Sequence, residues 1–235
     1  MKTEEEGKIA LGMVFAVSLV LSNVVAGKVV ATSIPFFGGV LVFPGAVFCY
    51  ASTFLATDIA GERWGKAAAA AFVRWGFAVQ VFAAAVLAFT GALPAADAEV
   101  QAAYGRILGS NWLFAASSLA AYAASQSADV LLFHGIRKRV LARDPGALAK
   151  RWIWNNASTM TAQFIDTALF VGLAFGVGLG WLSSASGRRD LVALALGQYL
   201  VKLALAALDT PLFYLLTRRR GGAYSTSGTS RQAEG

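Results

Sequence analysis

Carboxylates and amides stand inside stretches of this chain that are otherwise apolar, and two of them repeat a pattern. Gln126-Ser127-Ala128-Asp129 is followed by Phe133, and Gln163-Phe164-Ile165-Asp166 by Phe170; both read QxxDxxxF, 37 residues apart. Spacing of i, i+3 puts the Gln and the Asp of each copy on one helix face. Asp58, Arg74, Lys202 and Asp209 are further charges in apolar surroundings, and Asn23, Gln80, Asn155, Asn156 and Gln198 are uncharged polar residues there. A charge in the bilayer interior costs at least a few kcal/mol, so such residues mark substrate or ion paths by default. The plainer alternative is hydrogen-bonding glue between helices, to which Gln80 and Gln198 are assigned. Arg74 is expected to snorkel to the membrane edge.

These residues need elements that bury them. Of the 235 residues, 57% are hydrophobic and 14% charged. Soluble domains carry about 25% charge. Six apolar segments follow: Ile9–Gly27, Val40–Thr57, Ala67–Phe89, Trp112–Phe133, Ala157–Leu182 and Leu191–Leu216. Each suits a spanning helix of roughly 20 residues, which predicts an all-α polytopic membrane protein with six transmembrane helices. One domain covers 1–220, and 221–235, rich in Gly, Ser and Thr, is a flexible tail. The second segment is short and follows Gly38-Gly39, so Lys28–Gly39 is expected to dip into the membrane or form a lid.

Basic residues are unevenly shared between the two sides. Lys2, Lys8, Arg63, Lys66, Arg137, Lys138, Arg139, Arg143, Lys150, Arg151, Arg218, Arg219, Arg220 and Arg231 fall on one side, and Lys28, Arg106, Arg188 and Arg189 on the other. The positive-inside rule places both termini in the cytoplasm, in a cell inner membrane. It also explains the net charge of +7 without a nucleic-acid partner. From the segment ends on the cytoplasmic side, Asp129, Asp166 and Asp209 each lie eight residues deep. At 1.5 Å per residue that is about 12 Å, one shared layer. Lys202, two turns from Asp209, could pair with a carboxylate of that layer.

Other chemistries lack their residues. A single cysteine, Cys49, forms no internal disulfide or CxxC zinc site, and no metal or other cofactor is expected. There is one histidine, His134, and no HExxH or GxSxG, which leaves an intramembrane enzyme with little beyond paired aspartates. Without GxxxxGK[ST] the chain does not hydrolyse ATP itself. A structural membrane protein is a third class; its buried carboxylates would tolerate change.

Several stretches resemble one family. They are Leu21-Ser22-Asn23-Val24-Val25-Ala26-Gly27-Lys28; Phe43-Pro44-Gly45; Asp58 through Glu62 to Gly65-Lys66, which reads DxxxExxGK; Ser125-Gln126-Ser127-Ala128-Asp129; and Asn155-Asn156-Ala157-Ser158-Thr159 with Gln163 and Asp166-Thr167. In order and spacing they resemble the queuosine precursor transporter family, also called the vitamin uptake transporter (VUT) family, from about Ile9 to Leu216. Ala60 and Gly61 depart from the bulkier residues expected before Glu62. The resemblance implies import of 7-cyano-7-deazaguanine and 7-aminomethyl-7-deazaguanine, and a six-helix bundle similar to the S-components of energy-coupling-factor transporters.

Such a base shows two adjacent N–H donors beside a carbonyl. A carboxylate accepts both donors, an amide matches the carbonyl and an amine, and aromatic rings cover the faces. On this basis Asp129 or Asp166 reads the base edge, Gln126 and Gln163 orient it, Phe133 and Phe170 cover it, and Asn23 completes the site. Phe164 is also within reach. Lys28 closes the outer side; Asp58 and Glu62 gate the inner side, with Asn156, Lys202 and Asp209 in gating or coupling. The partners implied are the deazaguanine and the lipid bilayer. A solitary transporter needs no ATPase partner, and pairing of two copies as a homodimer stays open. A transporter or S-component for another small vitamin or nucleobase is the alternative.

Overall fold

The computed structural model describes residues 2–143 and 151–217. Within them the side chains of Gln126, Asp129, Phe133, His134, Asn155, Asn156 and Asp209 lie outside the described residues, as does the whole tail 221–235. The elements are α1 (Lys2–Val25), β1 (Val29–Phe36), β2 (Gly39–Pro44), α2 (Ala46–Trp64), α3 (Lys66–Ala92), α4 (Ala98–Leu108), α5 (Asn111–Arg143), α6 (Arg151–Val171) and α7 (Ala185–Thr217). The chain is thus mostly helical. Four stretches are long and apolar enough to cross a membrane: Glu4–Val25, Ala67–Ala92, Met160–Gly178 and Ala185–Leu208. Six crossings are not established by this, because α2 and α5 do not meet the same test among the described residues.

The second apolar segment is not one helix. Val40–Pro44 belongs to strand β2, and the helix starts only at Ala46. A short apolar run can serve a strand as well as a buried helix; Val-Leu-Val-Phe between Gly39 and Pro44 is rich in strand formers. The lid expected over Lys28–Gly39 is a β-hairpin, β1 antiparallel to β2, with Phe36 opposite Gly39 and Val29 opposite Pro44. Its two loop residues, Phe37 (φ 50°) and Gly38 (φ 75°), both have positive φ, the pattern of a type I′ turn that follows strand twist. The hairpin base is tied by Gly45 N–H donating to the Lys28 carbonyl at 2.7 Å. Strand β2 packs on α7, and so closely that a Cβ at Gly197 would collide with the Val42 carbonyl.

Loop 92–111 holds an unexpected helix, α4. Asp97 caps it, its side chain accepting from Glu99 N–H at 2.7 Å, which satisfies a free donor of the first turn. Gln101 Nε2 and Tyr104 Oη donate back to the Gly91 and Leu87 carbonyls at 3.0 and 2.9 Å, so α4 serves carbonyls near the end of α3. After α6, residues Gly172–Gly178 widen into π-helical turns, and a 3-10 turn at Trp181–Ser183 leads to α7. Ser184 Oγ accepts from Gly187 N–H at 3.0 Å at the start of α7.

Two apolar clusters hold the bundle. One, beside the hairpin, joins Ala26, Ala46, Phe114, Phe170, Phe175 and Leu194. The other joins Phe15, Leu19, Ala56, Ala60 and Phe72 on α1, α2 and α3. Ala60, one of the small residues that depart from the family pattern, is fully buried in this cluster, where a small side chain lets helices approach.

Candidate functional site

An ion pair joins α6 to α7. Lys202 Nζ donates to Asp166 Oδ2 at 2.7 Å, with the side chains 6% and 8% exposed. The same ammonium lies 5.1 Å from the centre of the Tyr50 ring on α2, within range of a cation–π contact. Three helices therefore converge on one charge. Asp166 also lines a small enclosed cavity with Ser22, Asn23, Ala46, Val47, Tyr50, Ser118, Phe170 and Gln198. Only about 20 Å³ of it is open to a water-sized sphere, room for roughly one water. A heterocycle enters only if side chains move.

The lining is polar in a patterned way. Ser22 Oγ and Asn23 Nδ2 both donate to the Leu19 carbonyl, at 2.7 and 3.1 Å, which leaves the Asn23 carbonyl oxygen as an acceptor. Gln198 Oε1, Thr167 Oγ1 and Gln163 Oε1 are buried with no hydrogen-bond partner among the described residues. A buried unpaired polar atom costs about 1–3 kcal/mol, so Gln198 Oε1, which borders the cavity, is matched to a guest or to water. Ligand N–H groups could satisfy Asp166 and Gln198 together. Phe170 and Val47 offer apolar faces.

A much larger cavity, about 840 Å³, adjoins this one. Tyr50 and Ser118 line both, so the wall between them is thin. Its other lining includes Phe54, Asp58, Arg74, Phe77 and Tyr122, with Phe77 and Tyr122 edge to face at 5.0 Å. On the hairpin side a cavity of about 520 Å³ is bordered by Phe37, Val42, Trp181, Arg189 and Asp190.

The residues singled out from the sequence thus divide. Asn23, Asp166 and Phe170 come together at the enclosed cavity, and Lys202 pairs with Asp166 beside it. Gln163 lies one turn from Asp166 but does not line the cavity. Asp58 borders the large cavity, whereas Glu62 and Lys28 are exposed and border none of the three. Phe164 points away, half exposed and edge to face with Tyr199 at 5.6 Å. The side chains of Gln126, Asp129, Phe133, Asn156 and Asp209 are outside the described residues. Helix α6 begins at Arg151, seven residues before Ser158, so it extends beyond the apolar segment from which the depth of Asp166 was counted. A helix continues through polar Asn155-Asn156 after its apolar run ends, because backbone bonding needs no apolar side chain. Tyr50, Ser118 and Gln198 were missed. Gln198 carried a signal, an amide one turn before Lys202; Tyr50 and Ser118 carried none.

The family model described as "Putative vitamin uptake transporter" matches residues 44–216. A curated relative from Bacillus subtilis (strain 168), "Probable queuosine precursor transporter", is 30% identical over 168 residues, 70% of this chain and 67% of the relative. No solved structure matches the chain.

Proposed function

The chain belongs to the vitamin uptake transporter family, and from that premise we propose that it imports queuosine precursors, 7-cyano-7-deazaguanine and 7-aminomethyl-7-deazaguanine, into the cytoplasm. It is a multi-pass membrane protein of a transporter family. In this proposal α1, α2, α3, α5, α6 and α7 are its six crossings, in an arrangement akin to S-components. Both termini are cytoplasmic, as the distribution of Lys and Arg favours, and the large cavity bordered by Asp58 and Arg74 opens inward.

The observation that carries the substrate assignment is Asp166 in an enclosed cavity beside the unpartnered Gln198 carbonyl oxygen. A deazaguanine edge offers the adjacent N–H donors those acceptors lack, and its carbonyl can accept from Asn23 or Gln198 amide N–H groups. Phe170 covers a ring face. The test is uptake of labelled 7-cyano-7-deazaguanine by cells with no precursor transport or synthesis of their own, expressing this chain alone. Accumulation that excess unlabelled base abolishes supports the proposal. Failure to accumulate, with folded protein present in the membrane, refutes it.

A further inference from the structure

Asp166 does not meet a substrate as a bare anion. Lys202 already holds Oδ2 at 2.7 Å, and the Tyr50 ring covers that ammonium from another side at 5.1 Å. Lys202 is 8% exposed, and its head meets groups from two other helices. Among the described residues lining the cavity, Asp166 is the one carboxylate, and none is a cation. Carboxylate and ammonium therefore cancel, and the described lining carries no net charge while its polar acceptors, Asp166 Oδ1 and Gln198 Oε1, remain to take N–H donors.

We propose that Lys202 is a built-in counter-ion that sets the charge class of the substrate, so that the Asp166 cavity takes a neutral N–H-edged heterocycle and disfavours one bearing an ammonium group. This rests on the reading of the site as a deazaguanine site and deepens it. A neutral base replaces water at Asp166 Oδ1 and Gln198 without disturbing the ion pair. A cationic base adds a second positive charge beside Lys202 in a low-dielectric site, or must expel Lys202 from Asp166 into surroundings with no other anion among the described cavity residues. Both routes are costly for buried charge. The nitrile-bearing precursor is neutral and the aminomethyl-bearing one is a cation, so the two differ in the property that Lys202 reads.

The experiment is calorimetric titration of the purified full-length protein in detergent with both precursors, on wild type and Lys202→Met. Wild type is expected to bind 7-cyano-7-deazaguanine about tenfold or more tightly than the aminomethyl congener. In Lys202→Met the unneutralised carboxylate favours the cation, and the ratio falls at least tenfold or reverses. Equal or tighter binding of the cation by wild type overturns the inference and leaves the deazaguanine site standing. So does an unchanged ratio in Lys202→Met. If wild type binds neither base, the proposed function falls and takes this inference with it. Should Lys202→Met not fold, Lys202→Gln removes the charge while still donating to Asp166, and the same change of ratio is required of it.

Discussion

Replacing Asp166 by Asn tests the ion pair and the site at once. Two unit charges 2.7 Å apart attract by about 6 kcal/mol at an effective dielectric of ~20. Part of that attraction only offsets desolvation, so the net worth of the pair is smaller. Removing one partner is different, because Lys202 stays buried without its anion. Breaking buried pairs in this way costs about 3–5 kcal/mol, which for a chain of this size lowers the midpoint of thermal unfolding by on the order of 10 °C. The Asn amide can still accept one hydrogen bond from Lys202, which places the expected loss toward the lower figure. The double change Asp166→Asn/Lys202→Met removes both charges and should recover most of the lost stability, while base binding stays absent. Thermal unfolding in detergent, followed by tryptophan fluorescence, reads Asp166→Asn, Lys202→Met and the double variant against Glu62→Gln, an exposed acid that serves as control. If Asp166→Asn loses no more than Glu62→Gln, or if the double variant is as unstable as the two single losses added, the buried pair is not coupled as described and the reasoning fails.

Gln198→Leu should weaken base binding by about 1–3 kcal/mol, the cost of losing a partner to a buried polar group, with little change in folding, since its Oε1 has no partner to lose; calorimetry and unfolding together check this. Gln80 is buried with neither amide atom hydrogen-bonded among the described residues, so Gln80→Leu is expected to leave stability unchanged or raise it by about 1 kcal/mol, and a marked fall in unfolding temperature would show a partner that the geometry omits. Gly197→Ala drives a Cβ into the Val42 carbonyl and should destabilise by about 1–3 kcal/mol, with faster proteolysis at the hairpin, whereas Gly172→Ala, with nothing near its Cβ, should not.

How far the residues alone revealed this arrangement depends on what each element costs in lipid. The long apolar runs of α1, α3 and α7 could be read directly, because a spanning helix must satisfy its backbone internally and show lipid an apolar surface. Lys202 and Asp166 stood out for the converse reason, being too costly to bury unless paired. The hairpin was hidden because Val40–Phe43 continues into the apolar start of α2, and hydropathy does not distinguish a strand that packs on Gly197 from a turn of helix. Helix α4 had a signal in Asp97 two residues before Glu99, the cap pattern, but its mixed composition fell below any membrane criterion. Tyr50 could not be singled out, since an aromatic with a polar tip is at home in either lipid or a cavity wall. The start of α6 at Arg151 could not be read from hydropathy, because an apolar run marks where lipid begins and not where a helix does.

The two barriers around the enclosed cavity are built differently, and that difference bears on transport more than either cavity's size. Toward Asp58 and Arg74 the shared wall includes Tyr50 and Ser118. Tyr50 moves by side-chain rotation, and its hold on Lys202 is a cation–π contact worth about 0.5–2 kcal/mol. Toward the hairpin the chain stacks Phe170, Phe175 and Trp181 edge to face and seats β2 backbone on Gly197, so opening there displaces a strand against a helix. Tyr50→Ala therefore should merge the enclosed cavity with the large one at small cost in stability. In proteoliposomes it should speed exchange of bound base on the Asp58 side by an order of magnitude or so, without creating a leak across the hairpin side. Exchange at the wild-type rate would mean that Tyr50 is not the barrier, and a leak to both sides would mean that the hairpin contact does not seal the site.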